Sequence, residues 1–347
     1  MFWLFSRIVI FLSILLLLSQ AQAQNLFSSA DRKTTKARVV IVHDPEATES
    51  LQPIPERIRS LLDQGITNVT GKATVKAAWL SLISTQDIVG IKVYSTPGPN
   101  SGTRPAVVAA VIQTLLETGL PATNIIVWDK RSVDLRLAGF YEFEKRFGIR
   151  VASSVESGYD EKTFYETALI GNLSWSDMEF GKKGPGIGRK SYVSKLVSQQ
   201  MTKIINITPL MHHNLAGVSG NLYSLALGSV DNVLRFETDA DNLSRAVPEI
   251  YALPILGDRV VLNIVDSLIC QYDGEEKGLL HYSSVLNELR ISKDPVALDV
   301  LSLREIDRQR QLAGVPVLKT NLELYVNASL LEIGISDLKK IETDRLH

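Results

Sequence analysis

The sequence predicts an α/β fold, a mainly parallel sheet flanked by helices, either as one domain or as two lobes with a cleft between them. Short β-branched runs alternate with helix-length amphipathic stretches, the pattern of strand–helix–strand units. The clearest unit joins a strand at Asp87–Tyr94 to another at Asn124–Trp128 through a helix from Ala106 to Thr118. A crossover of this length is right-handed and makes its two strands parallel neighbours. The 347 residues, 45% of them hydrophobic, suffice for a sizeable core.

Residues Met1–Ala23 read as a secretory signal peptide. Arg7 is the positive flank, Ile8–Leu18 is apolar apart from Ser13, and Ala21-Gln-Ala23 is a small-x-small cleavage site, with the cut after Ala23. The apolar run is about 11 residues, against about 20 for a spanning helix. The membrane is therefore expected to be met only through this segment, and the mature protein to be periplasmic or secreted. Residues 24–36 read as a flexible leader, 37–315 as the α/β domain and 316–347 as a C-terminal tail packed on it.

Along the domain, Ala37–His43 is the first strand and Ile54–Gln64 a helix that Gly65 can stop. Val75–Leu82 is a short helix. After the central unit, Leu135–Phe147 reads as one helix and Arg150–Ser154 as a strand. Nothing regular is legible between Glu156 and Gly188. Lys203–Thr208 is a strand ended by Pro209, because proline lacks the ladder N–H. A Leu-rich helix runs to about Leu227, another spans Asp239–Ala252, and Val260–Ile269 and Leu286–Ile291 are strands. Asp294 caps a final helix, with Pro295 in its first turn.

The formal net charge of −1 gives no field that favours nucleic acid. The single cysteine, Cys270, lies in an apolar run and excludes an intrachain disulfide or a cysteine-bound iron–sulfur cluster. The chain has no HExxH, GxSxG, Walker or GxGxxG pattern, so zincin, hydrolase-elbow, P-loop and dinucleotide readings lack support. Gly181–Lys190 is a basic glycine-rich loop that could hold an anion or simply be a solvated connection.

Candidate site residues cluster where strands meet polar loops. Lys92 sits inside an apolar strand and could offer a cation, or a base if burial lowers its pKa; the alternative is a lysine paired with an aspartate. Ser95, Thr96, Asn100 and Thr103 could donate to an anion ahead of a helix N-terminus that Arg104 precedes, or could form a well-capped turn. Asp129 ends the neighbouring strand. Asp266 and Asp299 could add carboxylates, and with His213 could hold a divalent metal.

Three separated blocks resemble the family catalogued as domain of unknown function 362. They are Ile91-Lys92-Val93 with Thr103-Arg104-Pro105; His213 with Gly217-Val218-Ser219-Gly220 and Gly228; and the stretch Asp266–Gly274 with Asp294–Asp299. The resemblance spans about Arg38 to Arg310 and implies a fold and a pocket without an established reaction. It favours His213 over His212 as acid/base and adds Ser219 to the ligand-binding candidates. The chain departs from the family where Tyr94, Arg104 and Tyr223-Ser224 stand, and it lacks the cysteine-rich ferredoxin-like segment of some relatives.

The sequence thus supports two readings. One is an exported enzyme of unassigned reaction on a small anionic or phosphorylated molecule, with Lys92, His213 and Asp266 as its chemistry and a divalent metal as a candidate cofactor. The other is a non-catalytic periplasmic binding protein or envelope scaffold. The enzyme and binding-protein readings expect Lys92, His213, Ser95 and Asn100 to line one cleft; a scaffold would have no small-molecule site.

Overall fold

The strands form because their β-branched residues alternate between two apolar layers. In β1 (Ala37–His43), Val39 and Ile41 belong to one core cluster and Val40 and Val42 to the other. The computed structural model describes residues 36–182, 184, 186–274, 277–316 and 322–347. The expected signal peptide, and all of the leader but Lys36, lie outside the described residues.

After β1 come the short strands β2 (Thr48–Glu49) and β3 (Gln52–Pro53), then helices α1 (Pro55–Thr70) and α2 (Val75–Leu80). The central unit is β4 (Val89–Val93), α3 (Pro105–Thr118) and β5 (Ile125–Asp129). Helices α4 (Ser132–Leu137) and α5 (Glu142–Phe147) lead to β6 (Arg150–Ser153) and α6 (Ser154–Ser157). A hairpin follows, β7 (Tyr159–Asn172) and β8 (Ile187–Ser194), then β9 (Lys203–His213), β10 (Gly217–Val218), α7 (Asn221–Ser229), α8 (Leu234–Glu237) and α9 (Ala240–Tyr251). The chain closes with β11 (Val260–Gln271), β12 (Ser283–Ser292), α10 (Pro295–Leu312), α11 (Glu323–Leu330) and β13 (Ile341–Leu346).

The main sheet has the order β13-β1-β12-β11-β9-β4-β5-β6, with β10 paired to β9. The β4, β5, β6, β9 and β11 ladders are parallel, and so is β1 with β13. The ladders made by β12 and the short β9–β10 pair are antiparallel. The sheet is therefore mixed but mostly parallel, as the sequence predicts. Residues 37–347 make one compact unit, so the two-lobed alternative does not hold. The C-terminal segment supplies β13 as an edge strand of the same sheet.

Helices cover both faces. Buried residues of α1, α2 and α3 pack with Ile91 and Val93; those of α7, α9, α10 and α11 pack on the opposite face with Trp128 and Val265. Among the described residues no helix is long and apolar enough to cross a membrane. Cys270 is buried, and burial pushes its thiol well up, away from the reactive thiolate.

Three elements differ from the sequence reading. Strand β9 runs through Pro209 to His213. Its ladder with β11 is already irregular beyond Pro209↔Asp266, so the missing proline N–H falls where regular pairing ends. The helix expected over Leu135–Phe147 is two short helices, because Gly139 takes φ +85°, outside helical backbone. The stretch after Glu156 is the β7–β8 hairpin, a two-stranded sheet apart from the main one.

Strand order sets the position of the site. From β4 the chain moves outward through β5 to β6, then returns to place β9 on the other side of β4. Helix α3, which leaves β4, covers one face, and α7, which follows β9, covers the other. Such a reversal leaves a crevice at the carboxyl ends of the strands.

Candidate functional site

Strand alternation sends Ile91 and Val93 into one core and Lys92 toward the face covered by α7. There the Lys92 ammonium is fully buried. It donates to the Val93 carbonyl at 2.7 Å, to Asp129 Oδ1 at 2.8 Å and to Ser224 Oγ at 3.0 Å. Its three protons meet three acceptors, and the Trp128 ring lies 5.6 Å from Nζ. Burial draws the ammonium below its ordinary range, and Asp129 pulls it back up. Gly228 of α7 makes this packing feasible: a Cβ there would stand 2.3 Å from Lys92 Cε.

Asp129 is equally engaged. Its Oδ2 accepts from Ser95 N at 2.8 Å and Ser95 Oγ at 2.6 Å, and its Oδ1 from Lys130 N at 2.7 Å. The buried knot Lys92–Asp129–Ser95–Ser224 thus joins β4, β5 and α7.

Asp266 and Asp299, read from sequence as ligand or metal residues, each cap a helix from a distant element. Asp266 Oδ2 accepts from Arg104 N at 3.0 Å at the start of α3, and Oδ1 from Arg104 Nη1 at 2.9 Å. Asp299 accepts from Asn221 N at 2.7 Å and Leu222 N at 3.0 Å at the start of α7. Gly220 lets that carboxylate approach, since a Cβ would stand 2.3 Å from Asp299 Oδ1. The positive ends of both helices are thereby filled by the protein's own anions.

Of the two sequence readings of the 95–103 loop, this arrangement fits the well-capped turn. Several of its donors are used internally: Gly98 N bonds Ser95 O, Gly102 N bonds Gly98 O, and Thr103 N bonds Tyr94 O. Thr103 Oγ1 donates to Ile207 O at 2.7 Å and accepts from Tyr94 N. Asn100 is exposed, and its carbonyl takes Arg104 Nη2 at 2.9 Å. Ser219 is buried away from the cleft; among the described residues its hydroxyl has no hydrogen-bond partner.

His213 ends β9, where Nδ1 accepts from Leu215 N at 3.2 Å and Ala216 N at 3.0 Å and so closes the turn into β10. Its ring lies 4.3 Å from that of Tyr223. Lys92, Ser95 and Asn100 also fall outside the lining of the cleft described next, so the four residues expected to share a cleft do not do so. The polar groups of Lys92, Ser95 and His213 are consumed by the fold. Asp129, Asp266 and Asp299 each bind separate partners, and among the described residues no three His, Cys, Asp or Glu side chains form a metal-binding group.

A small cleft of about 100 Å³, open to solvent, does lie at the carboxyl ends of β4 and β5. Tyr94, Tyr223, Leu227 and Val233 give it apolar walls, and Thr96, Asp129 and Ser224 belong to its lining. Its charged groups are Lys130, Arg131, Asp134 and Glu237. Glu237 accepts from Tyr223 Oη at 3.3 Å, and Asp134 from Thr96 Oγ1 at 3.3 Å. Among the described residues neither the Lys130 ammonium nor the Arg131 guanidinium has a hydrogen-bond or ion-pair partner. Burial pulls the Lys130 ammonium below its ordinary range, against the opposing pull of Glu237, Asp177 and Asp231.

The sequence reading missed Lys130, Arg131, Ser224 and Glu237. Asp129-Lys130-Arg131 directly follows a parallel strand at its carboxyl end, which was the available signal for the first two. Nothing in the sequence brings Ser224 and Glu237 to the same place.

Burial pushes the Asp299 carboxyl up to about 6, although its three hydrogen bonds from Asn221 and Leu222 oppose this. The folded state therefore holds a proton between about pH 4 and 6 that the unfolded chain has released, so Asp299 favours folding less as pH rises through that window. Relative to Asp299→Asn, the native protein should lose on the order of 1–3 kcal/mol between pH 4.5 and 7. Denaturant titrations of both proteins at the two pH values test this; a pH-independent difference would contradict it.

A family model described as "Domain of unknown function (DUF362)" matches residues 89–304, more than half of the chain and all of the cleft lining. A search of curated proteins finds no match. A crystal structure of a protein from Thermotoga maritima is similar at 13% identity and a TM-score of 0.39, covering 77% of this chain and 60% of that one. The alignment thus takes in less than two thirds of that protein's length.

Proposed function

The chain belongs to the family described as domain of unknown function (DUF362), and on that premise we propose that it is an exported protein that binds a small anionic molecule in the cleft above β4 and β5. The observation that carries this reading is the pair Lys130 and Arg131. Two adjacent cations line a crevice at a strand-order reversal with no hydrogen-bond or ion-pair partner among the described residues, while the nearby cation Lys92 is spent on Asp129. The half-buried Lys130 ammonium feels the carboxylates of Glu237, Asp177 and Asp231 without pairing with any of them, and a bound anion would supply that direct partner. The walls of Tyr94 and Tyr223 beside these cations suit a small organic acid or phosphate ester.

Binding should raise the melting temperature, because a ligand held only by the folded state stabilises it by about 2.7 kcal/mol at 100 times Kd. In a thermal-shift series with phosphate, small carboxylates and phosphate esters, at least one anion should give several degrees. Lys130→Ala and Arg131→Ala should each remove most of that shift. Their own melting temperatures should stay near that of the parent, since neither side chain holds the fold together. No shift with any anion would instead favour the scaffold reading.

Export is supported by the charged flank, apolar run and cleavage site at the N-terminus. Intact mass of the protein from its native host should correspond to a chain beginning at Gln24. A mass retaining Met1–Ala23 would count against cleavage.

A further inference from the structure

We propose that the Lys130 side-chain amine is a nucleophile that condenses with the carbonyl group of a small oxo acid, while the Arg131 guanidinium takes the acid's carboxylate. This deepens the reading of the cleft as an anion site and rests on it, because it names the chemical class of the anion.

The argument starts from the contrast between two lysines. Lys92 is locked by three acceptors and has no lone pair to offer in that state. Lys130 follows the last residue of β5, so its backbone is fixed: its N–H bonds Asp129 Oδ1 and its carbonyl accepts from Val155 N at 3.1 Å. Its half-buried side chain lines the cleft, and among the described residues its Nζ has no partner. A lysine in a partly apolar cleft, with no acceptor on its ammonium, holds a larger neutral fraction than a solvated lysine. Burial lowers the pKa of this amine, in agreement with its placement.

The surroundings supply the rest of the chemistry. Arg131 is adjacent in sequence and exposed at the mouth, and can form the forked pair that a carboxylate accepts. Tyr223 donates to Glu237 at 3.3 Å, so a phenol and a carboxyl stand in the same lining and can pass a proton. The Lys130 nitrogen lone pair attacks the carbonyl carbon while the carbonyl π electrons move to oxygen, which takes a proton. The nitrogen then releases a proton, the protonated hydroxyl leaves as water, and a C=N bond remains. Amine plus carbonyl gives imine plus water, with no oxidant or reductant.

Glyoxylate with sodium cyanoborohydride tests this, because reduction of an imine leaves a stable carboxymethyl group on the lysine. With purified protein at pH 7, peptide mapping should find Lys130 modified ahead of exposed lysines such as Lys72 and Lys182, since a lowered amine pKa raises the neutral fraction that attacks the carbonyl. Lys130→Arg should lose this fast labelling, because a guanidinium does not form the imine that the reductant traps. Labelling spread over exposed lysines with Lys130 unmodified would overturn the proposal. If that happened while phosphate still stabilised the protein, only the carbonyl chemistry would fall; if phosphate also had no effect, the cleft reading would fall with it.

Discussion

Replacing Lys92 by methionine is expected to destabilise the ligand-free protein by about 3–5 kcal/mol. Methionine nearly matches the lysine stem in volume, so little of the loss should come from packing. The cost comes from Asp129. Its carboxylate is 4% exposed and would keep the N–H groups of Ser95 and Lys130 and the Ser95 hydroxyl, but lose its only counter-charge among the described residues. Ser224 Oγ would also lose its donor. Native domains are stable by about 5–15 kcal/mol, so this single change would remove a large share of the total. Adding Asp129→Asn should restore part of the loss, because the double variant no longer buries an unpaired charge. Denaturant unfolding of the two single variants and the double gives the coupling directly. A loss below about 1 kcal/mol for Lys92→Met would mean that the pair is better solvated than its geometry allows. The sequence alone leaves Lys92 open between a cation held for a ligand and a lysine paired with an aspartate.

Why the sequence leaves the role of Lys92 open is a matter of sequence distance. A lysine between Ile91 and Val93 marks a buried cation but not what neutralises it. Asp129 is 37 positions away and Ser224 132. The parallel register Lys92↔Trp128 could be inferred from the crossover rule, and it places Asp129 one residue beyond Lys92. The same local rules that revealed β4, α3 and β5 therefore came within one step of the ion pair. They located Asp294 as the cap of α10, because N-caps are local in sequence. They did not reveal Asp266 and Asp299 as caps of α3 and α7, because those carboxylates arrive from other elements. The β7–β8 hairpin escaped for another reason. Much of β7 and the first half of β8 are exposed or half-buried, and neither strand's sequence carries a sustained apolar alternation. Lys130 and Arg131 look like ordinary surface cations until strand order places them at a crevice.

Arg104→Met is expected to be as damaging as the loss of Lys92, again by about 3–5 kcal/mol, because Asp266 is wholly buried and Arg104 is its ion-pair partner. The guanidinium has a second task, since Nη2 holds the Asn100 carbonyl at 2.9 Å. Arg104→Lys should therefore retain part of the stability: it keeps a charge near Asp266 but cannot reproduce the two-way fork. Denaturant unfolding of both variants tests that order; equal losses would mean that a lysine charge gives Asp266 nothing without the guanidinium fork. The loop from Ser95 to Arg104 is pinned at both ends, by Asp129 at the start and Asp266 at the finish. Residues that share such a segment should not behave independently. In Lys92→Met/Arg104→Met the second loss should be smaller than in the parent, because a loop freed at one end has already surrendered part of the order that the other anchor maintains. Additive losses would mean instead that the two carboxylates anchor separate units, and that the cleft mouth near Thr96 is held from the β5 side alone.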